Sequence, residues 1–322
     1  MKVSIAMATY NGEKYIKEQL DSFSAQTRLP DELIITDDCS TDSTEEIVKE
    51  FAETAPFTVV FHRNEKNLGY CGNFNAALMK TTGDLVFLSD QDDVWFPEKI
   101  EFMVRLADEN PDMLALMNDT VLTDSDLNSV GLTKLGQFKT AGISLESYVM
   151  GCCCAIRREL LYICMPIPEG FKAHDNWIVN FADGLNAKLV TYKSLQYYRR
   201  HDSNESQFIA NRTVKVGKLD VFISRFQYLF SDDRERIEIN KLAQMMIFSE
   251  GLRRAAYRAS RFKARIELLL QSSELKVELY RERSQIRAQS LFARLLSSVK
   301  FFARGGYKVA GGFKGFVKDV VG

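Results

Sequence analysis

The sequence predicts an α/β domain over residues 1–210 followed by a helical domain over residues 211–322 that ends in a basic amphipathic tail. Three observations predict it. The first hundred residues alternate short β-branched or apolar runs with stretches of helical periodicity, the pattern of a sheet whose parallel strands are joined by helical crossovers. Clusters of Asp, Asn, Ser and Gly fall directly behind several of those runs, where strand-to-helix loops belong. Beyond residue 210 glycine becomes scarce until Gly305, proline is absent, and Arg, Glu, Leu and Phe dominate with helical spacing. The linker between the two domains is expected near Asn204 to Asn211.

Val3 to Thr9 is the first strand, and Ile16, Leu20 and Phe23 then share one helical face. Glu32 to Asp37 is the second strand; Ser43-Thr44-Glu45-Glu46 reads as a capping box opening a helix through Phe51. Phe57 to His62 is the third, followed by a helix near Asn73 to Lys80, and Asp84 to Ser89 is the fourth. Pro97 and Glu98 suit the first turn of a helix reaching Asp108, because proline lacks only an amide that the first turn leaves unbonded. Right-handed crossovers put these strands in one sheet with their C-terminal ends along a shared edge. Tyr10-Asn11-Gly12, Asp37-Asp38 and Ser89-Asp90-Gln91-Asp92-Asp93 then converge on one crevice.

With 322 residues, 46% of them hydrophobic, the chain can form one full core and an appendage. A net charge of −1 excludes a whole-protein affinity for nucleic acid, which needs a large surplus of Lys and Arg. The cysteines, Cys39, Cys71, Cys152, Cys153, Cys154 and Cys164, include no pair at the spacing of a zinc knuckle or redox motif. Three in a row on a strand point to alternate faces and cannot form one tetrahedral site. They read as reduced, mostly buried side chains of a cytosolic protein. The opening apolar run is too short for a secretory signal, and no window approaches the roughly 20 apolar residues that span a bilayer. The expected location is the cytoplasm, peripheral on the inner face of the plasma membrane.

The sharpest chemistry lies behind the fourth strand. Hard divalent cations prefer carboxylate oxygens and accept an incomplete protein shell that a diphosphate fills, so Asp90-Gln91-Asp92-Asp93 suits Mg²⁺ or Mn²⁺. A solvated acidic loop ahead of Pro97 is the plain alternative, but like charges packed beside an apolar strand repel unless a cation joins them. In Asp37-Asp38-Cys39-Ser40-Thr41-Asp42 a carboxylate can accept from the N3 imide of a pyrimidine ring. The same Asp and Ser residues can also simply cap the amides of a turn.

Together with Val3 to Asn11 and Asn67-Leu68-Gly69, these segments resemble family 2 glycosyltransferases of the GT-A fold over roughly residues 1–205. The form Ser89-Asp90-Gln91-Asp92-Asp93-Val94-Trp95 is most similar to the rhamnosyltransferase-like branch of bacterial surface polysaccharide synthesis. The resemblance implies a Rossmann-like nucleotide-diphospho-sugar transferase. Such an enzyme moves a sugar from a nucleotide-diphosphate donor to a hydroxyl of a growing, lipid-linked glycan, inverting the anomeric centre in one displacement. It implies that Ala8, Tyr10 and Glu13 line the nucleotide pocket, that Asp38 contacts the base, and that Arg63, Asn67 and Gly69 lie near the ribose or diphosphate. Asp92 is implied as the main ligand of a divalent cation (Mn or Mg), with Asp90 as its partner beside the donor. His201, behind Tyr197-Tyr198-Arg199-Arg200, completes the metal shell or touches the diphosphate, and a nearby Arg neutralises phosphate. Asp175 of His174-Asp175-Asn176-Trp177 matches the base that deprotonates the acceptor hydroxyl; taken alone it reads as a helix cap. Trp177 reads as core. Cys39 stands where glycine is frequent in the family, which leaves that turn's conformation open. Gly151 to Arg158 resembles the acceptor-side segment, with no cysteine in it assigned to catalysis.

From Leu291 onward Arg294, Lys300, Arg304, Lys308, Lys314 and Lys318 stand against the single acid Asp319, interleaved with six aromatic residues. That is the make-up of a basic interfacial element on anionic lipid, or of a helical end packing on its own domain or on another subunit of a homo-oligomer. A nucleotidyltransferase would also pair an acidic metal site with a nucleotide pocket, but Ala8 to Gly12 lacks the Gly-rich basic phosphate loop. A signalling or adaptor role would leave Asp90 to Asp93 and Asp175 without a task.

Overall fold

Strands β1 (Val3–Thr9) and β2 (Glu32–Asp37) are buried along almost their whole length, as strands inside a helix-covered sheet are. In the computed structural model, which describes residues 1–202, 204, 208–229 and 234–321, they open the first of two compact units, Met1–Phe222 and Ile223–Gly322. Helix α1 (Ile16–Ser24) turns Ile16, Leu20 and Phe23 inward, one face of a 3.6-residue period. There follow α2 (Thr44–Thr54), β3 (Thr58–Arg63), α3 (Gly69–Lys80), β4 (Leu85–Ser89), β5 (Val94–Trp95) and α4 (Lys99–Glu109). Alternate residues of the central strands, Val3, Ile5, Met7, Leu33, Ile35, Leu85 and Phe87, pack in one core with Ile100, Met103, Val104 and Ala107 of α4. The unit continues through β6 (Ala115–Thr123), β7 (Ser129–Thr133), α5 (Lys134–Ala141), β8 (Cys154–Arg157), α6 (Arg158–Cys164), α7 (His174–Gly184) and β9 (Lys188–Arg199).

All nine strands form a single sheet in the order β3-β2-β1-β4-β8-β6-β9-β5, with β7 on β6. β3, β2, β1 and β4 are parallel; β8 runs antiparallel to both β4 and β6, and β9 runs parallel to β6. The C-terminal ends of β1, β2, β4 and β9 therefore share one edge with the N-terminal end of β8. Residues near positions 10, 38, 92, 152 and 201 reach that edge from five separate strands.

Local expectations are corrected at several points. The capping box predicted at Ser43 does not form: the Ser43 side chain makes no cap bond. Asp42 takes its place, accepting from the amides of Thr44 at 3.1 Å and Glu13 at 3.0 Å, while Glu13 Oε2 accepts from Ser43 N at 3.0 Å. Helix α3 starts at Gly69, four residues ahead of the predicted point, because Gly69 adopts a φ of +70° that few other residues tolerate. Cys152 and Cys153 lie in a 3₁₀ turn, Gly151–Cys153, so the three cysteines do not alternate along a strand. Cys39 sits at φ +66°, the left-handed conformation for which glycine is best suited.

Helix α8 (Lys218–Leu229) crosses from the first unit into the second. The predicted linker near Asn204 to Asn211 includes positions 205–207, which lie outside the described residues. In the second unit α9 (Arg234–Ala256) lies against α10 (Lys263–Arg287), followed by α11 (Leu291–Ala303), α12 (Gly306–Val309) and α13 (Gly312–Val321). Tyr280, Ile286, Phe301, Tyr307 and Ala310 form its core. Inside it Asp319, fully buried, accepts from Arg283 Nε at 2.7 Å, Arg287 Nη1 at 2.9 Å and the Tyr307 hydroxyl at 2.9 Å. Among the described residues no helix is long and apolar enough to cross a membrane.

Candidate active site

The crevice starts where β1 ends. The Gln91 side chain bonds the Tyr10 backbone twice: Tyr10 N donates to Gln91 Oε1 at 2.9 Å and Gln91 Nε2 donates to Tyr10 O at 3.0 Å. One amide thus clamps the loop after β1 to the loop after β4. Gly12 leaves room for it, since a Cβ there would stand 2.4 Å from Gln91 Oε1. Tyr10 itself is half exposed and Ala8 is half-buried at the end of β1.

Behind β2 the loop is held by its own polar groups. Asp38, buried, accepts through Oδ1 from Leu68 N at 2.7 Å and Asn64 Nδ2 at 3.0 Å. Asn67 Nδ2 donates to Asp38 O at 3.2 Å, and Asn67 Oδ1 accepts from Gly69 N at 3.0 Å. Asp38, Asn67 and Gly69 are therefore one network. Arg63 donates to Glu45 Oε2 and to Ser40 O, both at 2.7 Å, so its guanidinium braces this loop. The Glu13 carboxylate does the same at the head of α2.

The acidic segment after β4 gathers residues from four elements. His201 Nε2 lies 2.7 Å from Asp92 Oδ2, and Asn204 Nδ2 donates to the same oxygen at 3.1 Å. The Tyr15 ring stacks on His201 at 4.9 Å. Asp93, fully buried, accepts from Gln196 Nε2 at 2.8 Å and Arg199 N at 3.2 Å. Ligand atoms of Asp90, Asp93 and Cys152 lie within 4.8 Å of one another. Burial, with Asp92 and Asp175 adding like charge, pushes the Asp90 carboxyl up to about 7. Burial, with Asp92 and Asp90 adding like charge, raises Asp93 well above the usual range. Beneath them Lys99, 1% exposed, donates to Cys152 O at 2.8 Å and to Gln196 Oε1, with Nζ 3.8 Å from the Trp95 ring centre. Burial lowers its ammonium to about 8.

Across the crevice, Asp175 lies in the first turn of α7, where Oδ1 accepts from Asn176 N at 2.7 Å. It is near enough to Asp90 to raise that carboxyl, so the two predicted roles are neighbours in space. His174 before it is 6% exposed and stacks on Phe74 at 3.8 Å; neither ring nitrogen has a hydrogen-bond partner among the described residues. Gly151 makes this packing possible, because a Cβ there would meet His174 Nε2 at 2.8 Å and Asp175 Cβ at 3.5 Å. Gly151→Ala is accordingly expected to displace the first turn of α7 and cut turnover about tenfold or more, with Tm falling by a few degrees. Steady-state kinetics beside a thermal melt check this, and unchanged turnover would show that the turn yields freely.

Asp90, Asp92, Asp175 and His201 thus come together, and Trp177 is core as read, its Nε1 donating to Cys164 O at 2.9 Å. Of the two arginines beside His201, Arg199, the last residue of β9, is 3% exposed and donates to Asp92 O, Ser125 O and Glu18, whereas Arg200, just behind β9, is half-buried. Lys99, Cys152 and Gln196 were not legible as site residues, and Gln91, in plain view inside the acidic motif, had no role assigned to it. Cys152 becomes visible only if Gly151 is taken to break the strand before it.

Residues 4–162 match the glycosyl transferase family 2 model. A glycosyltransferase of Nostoc sp. is 29% identical over 227 residues, covering 66% of this chain and 69% of that protein. The dTDP-rhamnosyl transferase RfbG of Shigella flexneri is 28% identical over 213 residues, covering 62% of this chain and 73% of that protein. Among solved structures, S. aureus TarS 1-349 in complex with UDP-GlcNAc has a TM-score of 0.55 at 21% identity, covering 99% of this chain and 90% of that one. At that identity the likeness is one of fold.

Proposed function

Since this chain belongs to glycosyl transferase family 2 through residues 4–162, we propose that it moves a sugar from a nucleotide-diphosphate donor to a hydroxyl of a growing cell-surface glycan, with inversion. The acceptor in this reading is lipid-linked and the protein works peripherally at a membrane face. Rhamnose is the narrower choice of sugar, supported by the relationship to RfbG. One observation carries the reading: the Gly151–Cys153 turn packs against Asp175 at Gly151 and has Cys152 within 4.8 Å of the Asp90 carboxylate, so a base and a charge-neutralising site meet at one edge of a GT-A sheet.

Asp90, Asp92 and His201 fit a hard divalent cation, with Asp93 and Cys152 beside Asp90, because a buried carboxyl raised by like charges is relieved by a positive ion. When bound, Mn²⁺ or Mg²⁺ supplies Lewis-acid charge against the departing diphosphate. Asp175 accepts the proton of the acceptor hydroxyl while that oxygen bonds to the anomeric carbon and the bond from that carbon to the diphosphate oxygen breaks. Ala8, Tyr10 and Asp38 border the nucleotide. Asn67 and Gly69 shape the turn near the ribose, and Glu13 and Arg63 act through the loops they brace.

Asp90 would have to lose its proton to hold the cation, so affinity for Mn²⁺ is expected to rise with pH through about 7 and to weaken by up to about tenfold per unit below it. Calorimetric titration at pH 6 and pH 8 tests this; equal affinities would remove Asp90 from the site. The function itself is tested with dTDP-rhamnose, UDP-glucose, UDP-galactose and UDP-N-acetylglucosamine, each with and without Mn²⁺ and a lipid-linked glycan extract. Metal-dependent release of nucleoside diphosphate from one donor is expected, and inertness toward all of them would defeat the reading.

A further inference from the structure

Helix α11 presents a surface that sugar transfer does not use. Its inward face is Ser298 and Phe301. Its outward stripe is Phe292, Leu295, Leu296, Val299 and Phe302, between 46% and 80% exposed. Spacings of three and four residues place these five side chains on one side of the helix. An amphipathic surface helix shows charge there, and a stripe apolar on both sides asks for a cover.

The charges around it indicate which cover. Asp319, the sole acidic side chain of residues 291–321, is buried against Arg283 and Arg287, and Glu282 of α10, which shares a groove with Lys300, is paired with Arg304, so the described residues of this segment show no acidic side chain at the surface. Lys300 and Lys308 are exposed. A second copy seated face to face on this stripe would set basic flank against basic flank, since a twofold contact repeats the same residues. An anionic bilayer meets both features, the apolar stripe and the basic flank. With 13 residues the helix is too short to span a bilayer, which takes about 20, and so it would lie in the plane of the headgroups.

We propose that the outward stripe of α11 docks on an anionic membrane surface, with Phe292, Leu295, Leu296, Val299 and Phe302 at the acyl boundary and Lys300 and Lys308 toward lipid phosphates. The site deepens the reading of a lipid-linked acceptor and rests on it only for its purpose. The full chain is sedimented with vesicles of phosphatidylcholine alone and of phosphatidylcholine with about one-third phosphatidylserine. Binding to the second kind alone, weakened by salt, is the expected result. Phe292→Glu with Val299→Glu should lower the partition coefficient at least about tenfold, with an unchanged circular dichroism spectrum because both side chains face outward. Lys300→Glu should lower it less and weaken the preference for the phosphatidylserine vesicles. Absence of binding, or full binding by the double variant, overturns the proposal; so does a wild-type dimer in sedimentation velocity that the double variant abolishes. The vesicles carry neither donor nor glycan, so their failure leaves sugar transfer standing, and failed transfer with intact vesicle binding would fall on the enzyme reading alone.

Discussion

Asp175→Asn is expected to lower transfer by about 10²–10⁴-fold while donor affinity stays within about twofold. The amide keeps the carboxylate's size and can still accept from Asn176 N through Oδ1, so the first turn of α7 is preserved and only basicity is lost. Removing this charge also removes one of the groups that raise Asp90, so Mn²⁺ should bind no worse near neutral pH. Turnover and donor binding measured on the same preparation separate these effects. A variant that keeps full turnover would show that another group takes the acceptor's proton.

Asp319→Ala is the second large effect, and it concerns stability. Arg283 is almost wholly buried, and its Nε and Nη2 both donate to the Asp319 carboxylate, at 2.7 and 2.9 Å. Taking away the acid strands a buried guanidinium, for which about 3–5 kcal/mol is the ordinary cost. Chemical unfolding of the full chain, followed by circular dichroism, should show the helical transition moving to lower denaturant. A shift worth under about 1 kcal/mol would mean that water or Arg287's surroundings take up the charge.

The limits of β1 and β2 could be read residue for residue, because each is an apolar run bracketed by turn formers. The start of α3 could not: Asn67 to Cys71 carries no apolar period, and its opening depends on Gly69 in a left-handed conformation. The cap at α2 was misplaced by one residue because Asp42 and Ser43 are both good acceptors, and only tertiary contact with Glu13 selects between them. Asp90 and Asp92 stood out because they follow an apolar run, whereas Asp175 and His201 rested on the family resemblance, since a helix-opening Asp reads by itself as a cap. Lys99, Cys152 and Gln196 were not legible, since their meeting depends on β8 entering the sheet against the direction of β4. Nothing local to Gly151 to Arg157 specifies a strand's direction.

The clasp between Gln91 and the Tyr10 backbone bears on how natural variation at this position is to be interpreted. The peptide group asks for one donor and one acceptor at once, and of the common side chains of this length only a primary amide offers both from one planar group. A change of Gln91 to Glu or Lys spares every residue assigned to metal or proton, yet leaves either a carbonyl or an amide of Tyr10 facing the wrong polarity. Under the proposed function such a change is expected to weaken donor binding even though the motif's acidic letters remain intact.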